Sequence, residues 1–378
     1  MILAGIGWPS VELVWEMATM INDDEIPAPN GASRPHEVHM PGVRQPRWYN
    51  YTAFVLSGGG ARGALQVGAL RALLEHGERP DLVIGTSVGA WNGAWLAMGP
   101  SEERMETMAR VWAGVHPMRV LLGRDRVAVG TPQQAIRGML ALAAARNAAR
   151  NSPSLYSDAG LQQLLTRFYA GATFEGLTVP LHIIATNLTS GVRAVFSSGP
   201  IGPALLASSA IPGIFPPVRI GNETYVDGGA IENCGLDLAV TLGARRIFIL
   251  DVGFDASPAA AEEWAEPPAK PAAPAANGER PRPASRRERP MIPHSLAAVL
   301  ERTTQVMSRY QLDQGLAQLP PGIETHLIRP STPGGGSALD FDAAPGWIEH
   351  GYAFTREYLS QMSGERTQIG VELTIDHA

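Results

Sequence analysis

The chain has 378 residues, 45% of them hydrophobic and 17% charged, enough apolar material to bury the core of one large domain or two modest ones. A formal net charge of −6 supplies no global basic field for nucleic acid, and the single cysteine, Cys234, excludes an internal disulfide and a cysteine-cluster metal site. The only lysine, Lys270, lies in a Pro/Ala-rich stretch, which removes P-loop, Schiff-base and Ser–Lys chemistry, since each needs a lysine in an ordered site.

Residues 1–50 read as an N-terminal extension, partly disordered, with one short helix at Val11–Met20 followed by Asn/Asp/Pro/Gly-rich chain. The first basic residue is Arg34, and Pro9, Glu12 and Glu16 interrupt the early apolar stretch. Neither a signal peptide nor a membrane helix of about 20 apolar residues is therefore expected. The expectation is a cytoplasmic protein that meets membranes only peripherally.

Regular α/β patterning begins abruptly. Ala53–Leu56 predicts a buried strand, Ala64–His76 a helix stopped by Gly77, Asp81–Ile84 a second strand and Val88–Met98 a helix of small residues. Strand–turn–helix twice in about 45 residues argues for α/β layering. Residues 101–150 carry helical spacing throughout, either as a cap over a site or as a plain packing layer. A helix is predicted over Leu155–Tyr169 and a strand over Leu181–Ala185, paired with Arg193–Phe196 across the Thr189-Ser190-Gly191 turn. Then follow a helix over Ile201–Ala210, extended chain over Ile214–Val218 and a short strand over Glu223–Val226. Arg246–Val252 predicts a buried strand.

Between Ala256 and Pro290 there are 11 Ala and 8 Pro in 35 residues with almost no aliphatic side chains, too little apolar surface for ordering. Residues 255–292 are accordingly read as a flexible insertion, with Arg280, Arg282, Arg286, Arg287 and Arg289 in its second half. Residues 293–378 would complete the domain with a helix (Leu296–Leu316), a strand (Glu324–Arg329) and a last helix (Pro345–Met362).

Three loops carry chemistry. Gly85-Thr86-Ser87-Val88-Gly89 is a G-x-S-x-G between a strand and a small-residue helix, the context of a nucleophile elbow that exposes Ser87. Gly58-Gly59-Gly60-Ala61-Arg62-Gly63 also joins a strand to a helix. It fits G-x-G-x-x-G, but the second strand ends in Gly85 and Ser87 instead of the acidic residue that a dinucleotide ribose needs. The alternative is a row of backbone N–H groups aimed at an oxyanion. Asp227-Gly228-Gly229 follows a short strand. Alone it is a turn; its interest is as a base for Ser87.

With these motifs in that order, the chain resembles the patatin-like phospholipases. Ser87 follows Gly60 by 27 residues, a spacing typical of that family. Ala207-Ser208-Ser209-Ala210-Ile211-Pro212-Gly213-Ile214-Phe215-Pro216-Pro217 and Ala185-Thr186-Asn187-Leu188-Thr189-Ser190-Gly191 are similar to two further family blocks. Ser57 stands where many members carry aspartate, and Gly235 where proline is common. The match covers about Tyr51–Phe254, so the catalytic core is expected over 51–254.

The resemblance implies a three-layer α/β/α fold with a central, mostly parallel sheet and a helical cap. It also implies a Ser87–Asp227 dyad that hydrolyses acyl esters of lipids without histidine, cofactor or metal. The oxyanion hole would come from the Gly58–Gly63 loop, with Gly85 and Gly89 shaping the elbow and Gly228 and Gly229 the turn after the base. The substrate is then a phospholipid or other acyl lipid. Two other readings compete: an α/β-hydrolase triad using His294, His326, His350 or His377, and a catalytically silent lipid-binding or scaffold protein on the same fold. Arg62 is expected to anchor the glycine loop.

Overall fold

The computed structural model describes residues 51–115, 120, 153–254, 296–333 and 336–365. These all belong to one unit, residues 48–378. The expected N-terminal helix, most of the 101–150 region and the Pro/Ala/Arg-rich insertion lie outside the described residues.

β1 (Tyr51–Leu56) runs into an unbroken apolar stretch, Ala53–Leu56, because helices cover the sheet on both sides. Its alternate side chains separate: Phe54 and Leu56 enter one core, Ala53 and Val55 the other. The same alternation divides Phe248 and Leu250 from Ile247 and Ile249 in β7 (Ala244–Leu250). β2 (Leu82–Thr86) and β7 flank β1 in parallel. Beyond β2 lies β3 (Leu181–Asn187), and beyond β7 lies β8 (Glu324–Ile328). β4 (Arg193–Phe196), β5 (Val218–Ile220) and β6 (Glu223–Asp227) are antiparallel additions: β4 and β6 pair with β3, and β5 with β6. The result is an eight-stranded, mostly parallel sheet of order β5-β6-β3-β2-β1-β7-β8, with β4 on β3.

One face is covered by α1 (Gly63–Glu75), α2 (Val88–Ala97), α3 (Glu102–Ala113), α4 (Ala159–Phe168), α5 (Ile201–Ser208) and α8 (Ala344–Glu365). The other is covered by α6 (Leu236–Thr241) and α7 (Leu296–Ala317). This is the three-layer α/β/α arrangement expected from the motifs. α3 starts at Ser101, whose hydroxyl accepts from the Arg104 N–H at 3.3 Å, with Glu102 and Glu103 at the positive end of the helix. α8 lies directly on α1. A Cβ at Gly68 would stand 1.9 Å from the Ile348 carbonyl oxygen, and one at Gly351 would stand 2.2 Å from that of Leu65.

Two expectations need correction. The helix predicted over Leu155–Tyr169 begins only at Ala159, because the Leu155 and Tyr156 N–H groups donate to the Gly213 and Ile214 carbonyls at 2.9 and 3.0 Å. Ile214–Val218 is not extended throughout. Ile214 and Phe215 turn back to bond the Ile211 carbonyl, each at 3.0 Å, and strand geometry starts at Val218.

Candidate active site

β2 ends at Thr86 and α2 begins at Val88, so Ser87 makes the whole turn, at φ 54° and ψ −124°. It is the only non-glycine residue with positive φ among the described residues, a conformation that costs of order 1–3 kcal/mol and is kept only where surroundings impose it. Those surroundings are identifiable. The Ser87 N–H donates to the Ser208 hydroxyl at 2.8 Å, and Ser208 in turn donates to the Ile184 carbonyl at 2.6 Å. Two glycines permit the close approach: a Cβ at Gly85 would meet the Ala90 Cα at 2.6 Å, and one at Gly89 the Leu56 carbonyl oxygen at 2.2 Å. Both obstacles are backbone. Gly89→Ala is therefore expected to lower the urea midpoint by the equivalent of about 1–3 kcal/mol; an unchanged midpoint would mean that the elbow opens freely.

Asp227 ends β6, where its backbone pairs with Ala185 and its N–H donates to the Ala210 carbonyl at 3.0 Å. Its carboxylate accepts from the Gly229 N–H at 2.8 Å, and the Ser87 side chain stands close enough to favour its charged form. Ser87 and Asp227 are only 6% and 8% exposed. Burial pushes the carboxyl up from 3.8 to about 6, partly offset by the Ser87 side chain and the Gly229 N–H. The acid thus titrates just below neutrality, where a general base is most useful. Gly228 lies against the sheet, with its Cβ position 2.5 Å from the Ile184 carbonyl oxygen.

The glycine loop is narrower as a donor than its sequence suggests. The Gly58 N–H is committed to Asn233 Oδ1 at 2.9 Å and the Ala61 N–H to the Ala338 carbonyl at 2.7 Å. Arg62 donates to Gly59 and Gly63 to the Gly60 carbonyl, as the Gly60–Arg62 turn requires. Of the six residues expected to form an oxyanion hole, Gly58, Ala61, Arg62 and Gly63 therefore spend their N–H groups on holding the loop, whereas no such bond engages the Gly59 and Gly60 N–H groups among the described residues. Arg62, buried, donates from Nε to the Val252 carbonyl at 3.0 Å and from a terminal nitrogen to Glu301 Oε1 at 3.1 Å. Glu301 also accepts from the Ala338 N–H at 2.6 Å. The loop is thereby tied to the C-terminal segment.

Ser87 and Gly60 open on an apolar cavity of about 130 Å³, walled by Trp91, Trp95, Trp112, Phe168, Phe215 and Phe341 among others. α3 forms part of this wall through Met108, Val111 and Trp112, so it is both a packing layer and a cover. Trp91 is fixed at both ends: its indole N–H donates to Ser209 at 2.8 Å and its carbonyl accepts from the Tyr169 hydroxyl at 2.7 Å.

Neither of the two described competing histidines, His326 and His350, lines the site with Ser87. His326 sits on β8, three strands from β2, stacked on Phe248 and bonded to Glu324 and Tyr358. His350 lies on α8 and does not line the cavity; His294 and His377 fall outside the described residues. Among the described residues, no cluster of three or more His, Cys, Asp or Glu side chains is arranged for a metal ion, and no helix is long and apolar enough to cross a membrane. Asn233, which clamps Gly58, was invisible in the sequence. It carries no local pattern, and its importance comes from meeting a loop 175 residues away.

The patatin-like phospholipase model matches residues 54–240. Patatin-like phospholipase domain-containing protein 7 of Rattus norvegicus is 31% identical over 206 residues, covering 54% of this chain and 14% of that protein. Lysophospholipase nte1 of Aspergillus terreus is 28% identical over 330 residues, covering 83% of this chain and 18% of that protein. The match thus spans less than a fifth of the length of either relative. Among solved structures, VipD from Legionella pneumophila aligns with a TM-score of 0.38 at 16% identity, over 83% of this chain and 67% of that one. Through residues 54–240, the chain belongs to the patatin-like phospholipase family.

Proposed function

We propose that the protein is a lipid acyl hydrolase of the phospholipase A or lysophospholipase type, cleaving carboxylic esters through Ser87 and Asp227. The observation that carries this reading is Ser87 lining an apolar cavity beside the buried carboxylate of Asp227, whose titration its side chain shifts. As Ser87 Oγ attacks the ester carbonyl, its proton passes to Asp227, and the tetrahedral oxyanion takes the Gly59 and Gly60 N–H groups. Losing one such donor typically costs 10²–10³ in turnover. Collapse breaks the bond to the alcohol oxygen, which leaves with the proton from Asp227, and an acyl-enzyme remains on Ser87. Water then gives its proton to Asp227 and attacks the acyl carbon. The second collapse returns the proton to Ser87 and frees the fatty acid. The cavity accepts the acyl chain, each buried methylene contributing about 0.8 kcal/mol.

No metal takes part in these steps, and a chelator should leave turnover intact. The direct test is labelling with a fluorophosphonate, wild type beside Ser87→Ala, followed by fatty-acid release from mixed phospholipid vesicles. Labelling that vanishes in the variant, with release by the wild type alone, is expected. A folded wild type that neither labels nor releases fatty acid would favour the silent lipid-binding reading.

A further inference from the structure

α7 has two very different faces. Its inner side is built into the site: Ser308 is hydrogen-bonded to the Asn233 side chain, Gln311 donates to the Gly229 carbonyl, Glu301 holds Arg62, and Leu312 is buried in the second core. From Val299 to Tyr310, about 16 Å of helix, the exposed residues are Val299, Leu300, Thr303, Thr304, Val306, Met307 and Tyr310. None is charged. Leu300 is 58% and Tyr310 65% exposed, and five of the nine large hydrophobic side chains exposed among the described residues lie on this one stripe.

The two threonines are polar members of the stripe, and each spends its hydroxyl proton on the helix backbone. Thr303 donates its hydroxyl to the Val299 carbonyl and Thr304 to the Leu300 carbonyl, at 2.8 and 2.9 Å. A water-facing helix normally carries charge there.

We propose that this face of α7 is where the protein lies on a lipid bilayer, the stripe sinking into the headgroup boundary with Tyr310 at the interface. Basic groups flank it. Arg302 and Arg309 stand at its margin, 4.6 and 5.7 Å from the Phe254 ring centre, Arg309 also paired with Asp313 at 2.7 Å; in sequence, residues 280–289 add five arginines against one glutamate. An uncharged apolar stripe bordered by arginine is complementary to an anionic leaflet, where each basic residue contributes roughly a fivefold gain in binding. Because Ser308 holds Asn233, the partner of Gly58, and Gln311 holds the Gly229 carbonyl two residues from Asp227, docking through α7 would hold those loops at the membrane. The inference rests on the lipid-hydrolase reading for the choice of occupant, but the surface itself is independent of catalysis.

The test is vesicle flotation of the full-length chain, with Ser87→Ala as the background so that binding is read without turnover. Phosphatidylcholine vesicles with and without phosphatidylglycerol serve as the probe. Leu300→Glu, Val306→Glu and Tyr310→Glu together should weaken binding to the anionic vesicles by at least about 100-fold, since each buried methylene carries roughly a fourfold change. On an otherwise native chain, hydrolysis of a soluble short-chain ester should be unchanged. The uncharged set Leu300→Ser, Val306→Ser and Tyr310→Ser reads the same loss if the glutamates disturb folding.

Flotation equal to the parent in folded variants would overturn the proposal, as would a parent that floats on neither vesicle. A shift from dimer to monomer with flotation unchanged would also overturn it and assign the stripe to a second copy of the chain. If neither ester nor phospholipid is cleaved while flotation still depends on α7, the hydrolase reading fails and the membrane surface stands.

Discussion

Asp227→Asn is expected to lower turnover by about 10²–10⁴-fold while making the folded protein more stable at neutral pH. Asparagine keeps an acceptor for the Gly229 N–H but cannot take the Ser87 proton. The gain in stability follows from burial. The folded carboxyl is pushed from 3.8 to about 6, so the folded state holds its proton more tightly than the unfolded chain. That contribution is fully present below about pH 4 and is lost as pH rises through 6, leaving a cost of about 3 kcal/mol at pH 7 that the neutral amide avoids. Urea midpoints from pH 4 to 8 should show the variant ahead at pH 7 and the gap closing toward pH 4. The wild-type kcat/KM should fall as pH drops below about 6. Turnover near wild type would remove Asp227 as the base, and equal stability at pH 7 would mean that its carboxylate is well solvated.

Replacing Ser87 separates the chemistry of the elbow from its strain. Ser87→Ala and Ser87→Gly should both abolish fluorophosphonate labelling and fatty-acid release, but they should differ in stability. Alanine inherits φ 54°, ψ −124°, a conformation that glycine adopts without penalty. With the extra freedom of glycine in the unfolded chain set against that relief, the glycine variant should be about 1–2 kcal/mol more stable than the alanine variant. Equal urea midpoints would mean that the turn stores no strain. A serine held there at such cost, beside a carboxylate destabilised by burial, is what a site selected for activity over stability looks like.

Much of the fold was legible because its signals are local. Val55, Ile84 and Ile249 lie in short apolar runs ended by glycine, serine or aspartate, as strands buried on two faces must be. The tight turn at Ser87 was legible for the same reason: a turn that forces φ positive on Ser87 needs small residues at Gly85 and Gly89, and those positions lie within two residues of it. The misread segments are those in which distant backbone wins. Leu155 and Tyr156 have helical spacing, yet their amides bind Gly213 and Ile214, about 58 positions away.

The sequence by itself determined the layered α/β plan, the strand–turn–helix units carrying Ser87 and the glycine loop, and the aspartate at the end of β6, because periodicity and turn chemistry act over a few residues. Only the tertiary structure decided which amides of that loop remain available. Asn233 and Ala338 occupy those of Gly58 and Ala61 from 175 and 277 positions along the chain, and the turn itself takes those of Arg62 and Gly63. It also decided that Asp227 titrates near 6, that the cavity behind Ser87 is walled by aromatics from several elements, and that one face of α7 is left without a polar covering. Each depends on what is packed against a group, and burial and hydrogen-bond pairing are set by neighbours in space that no local pattern specifies.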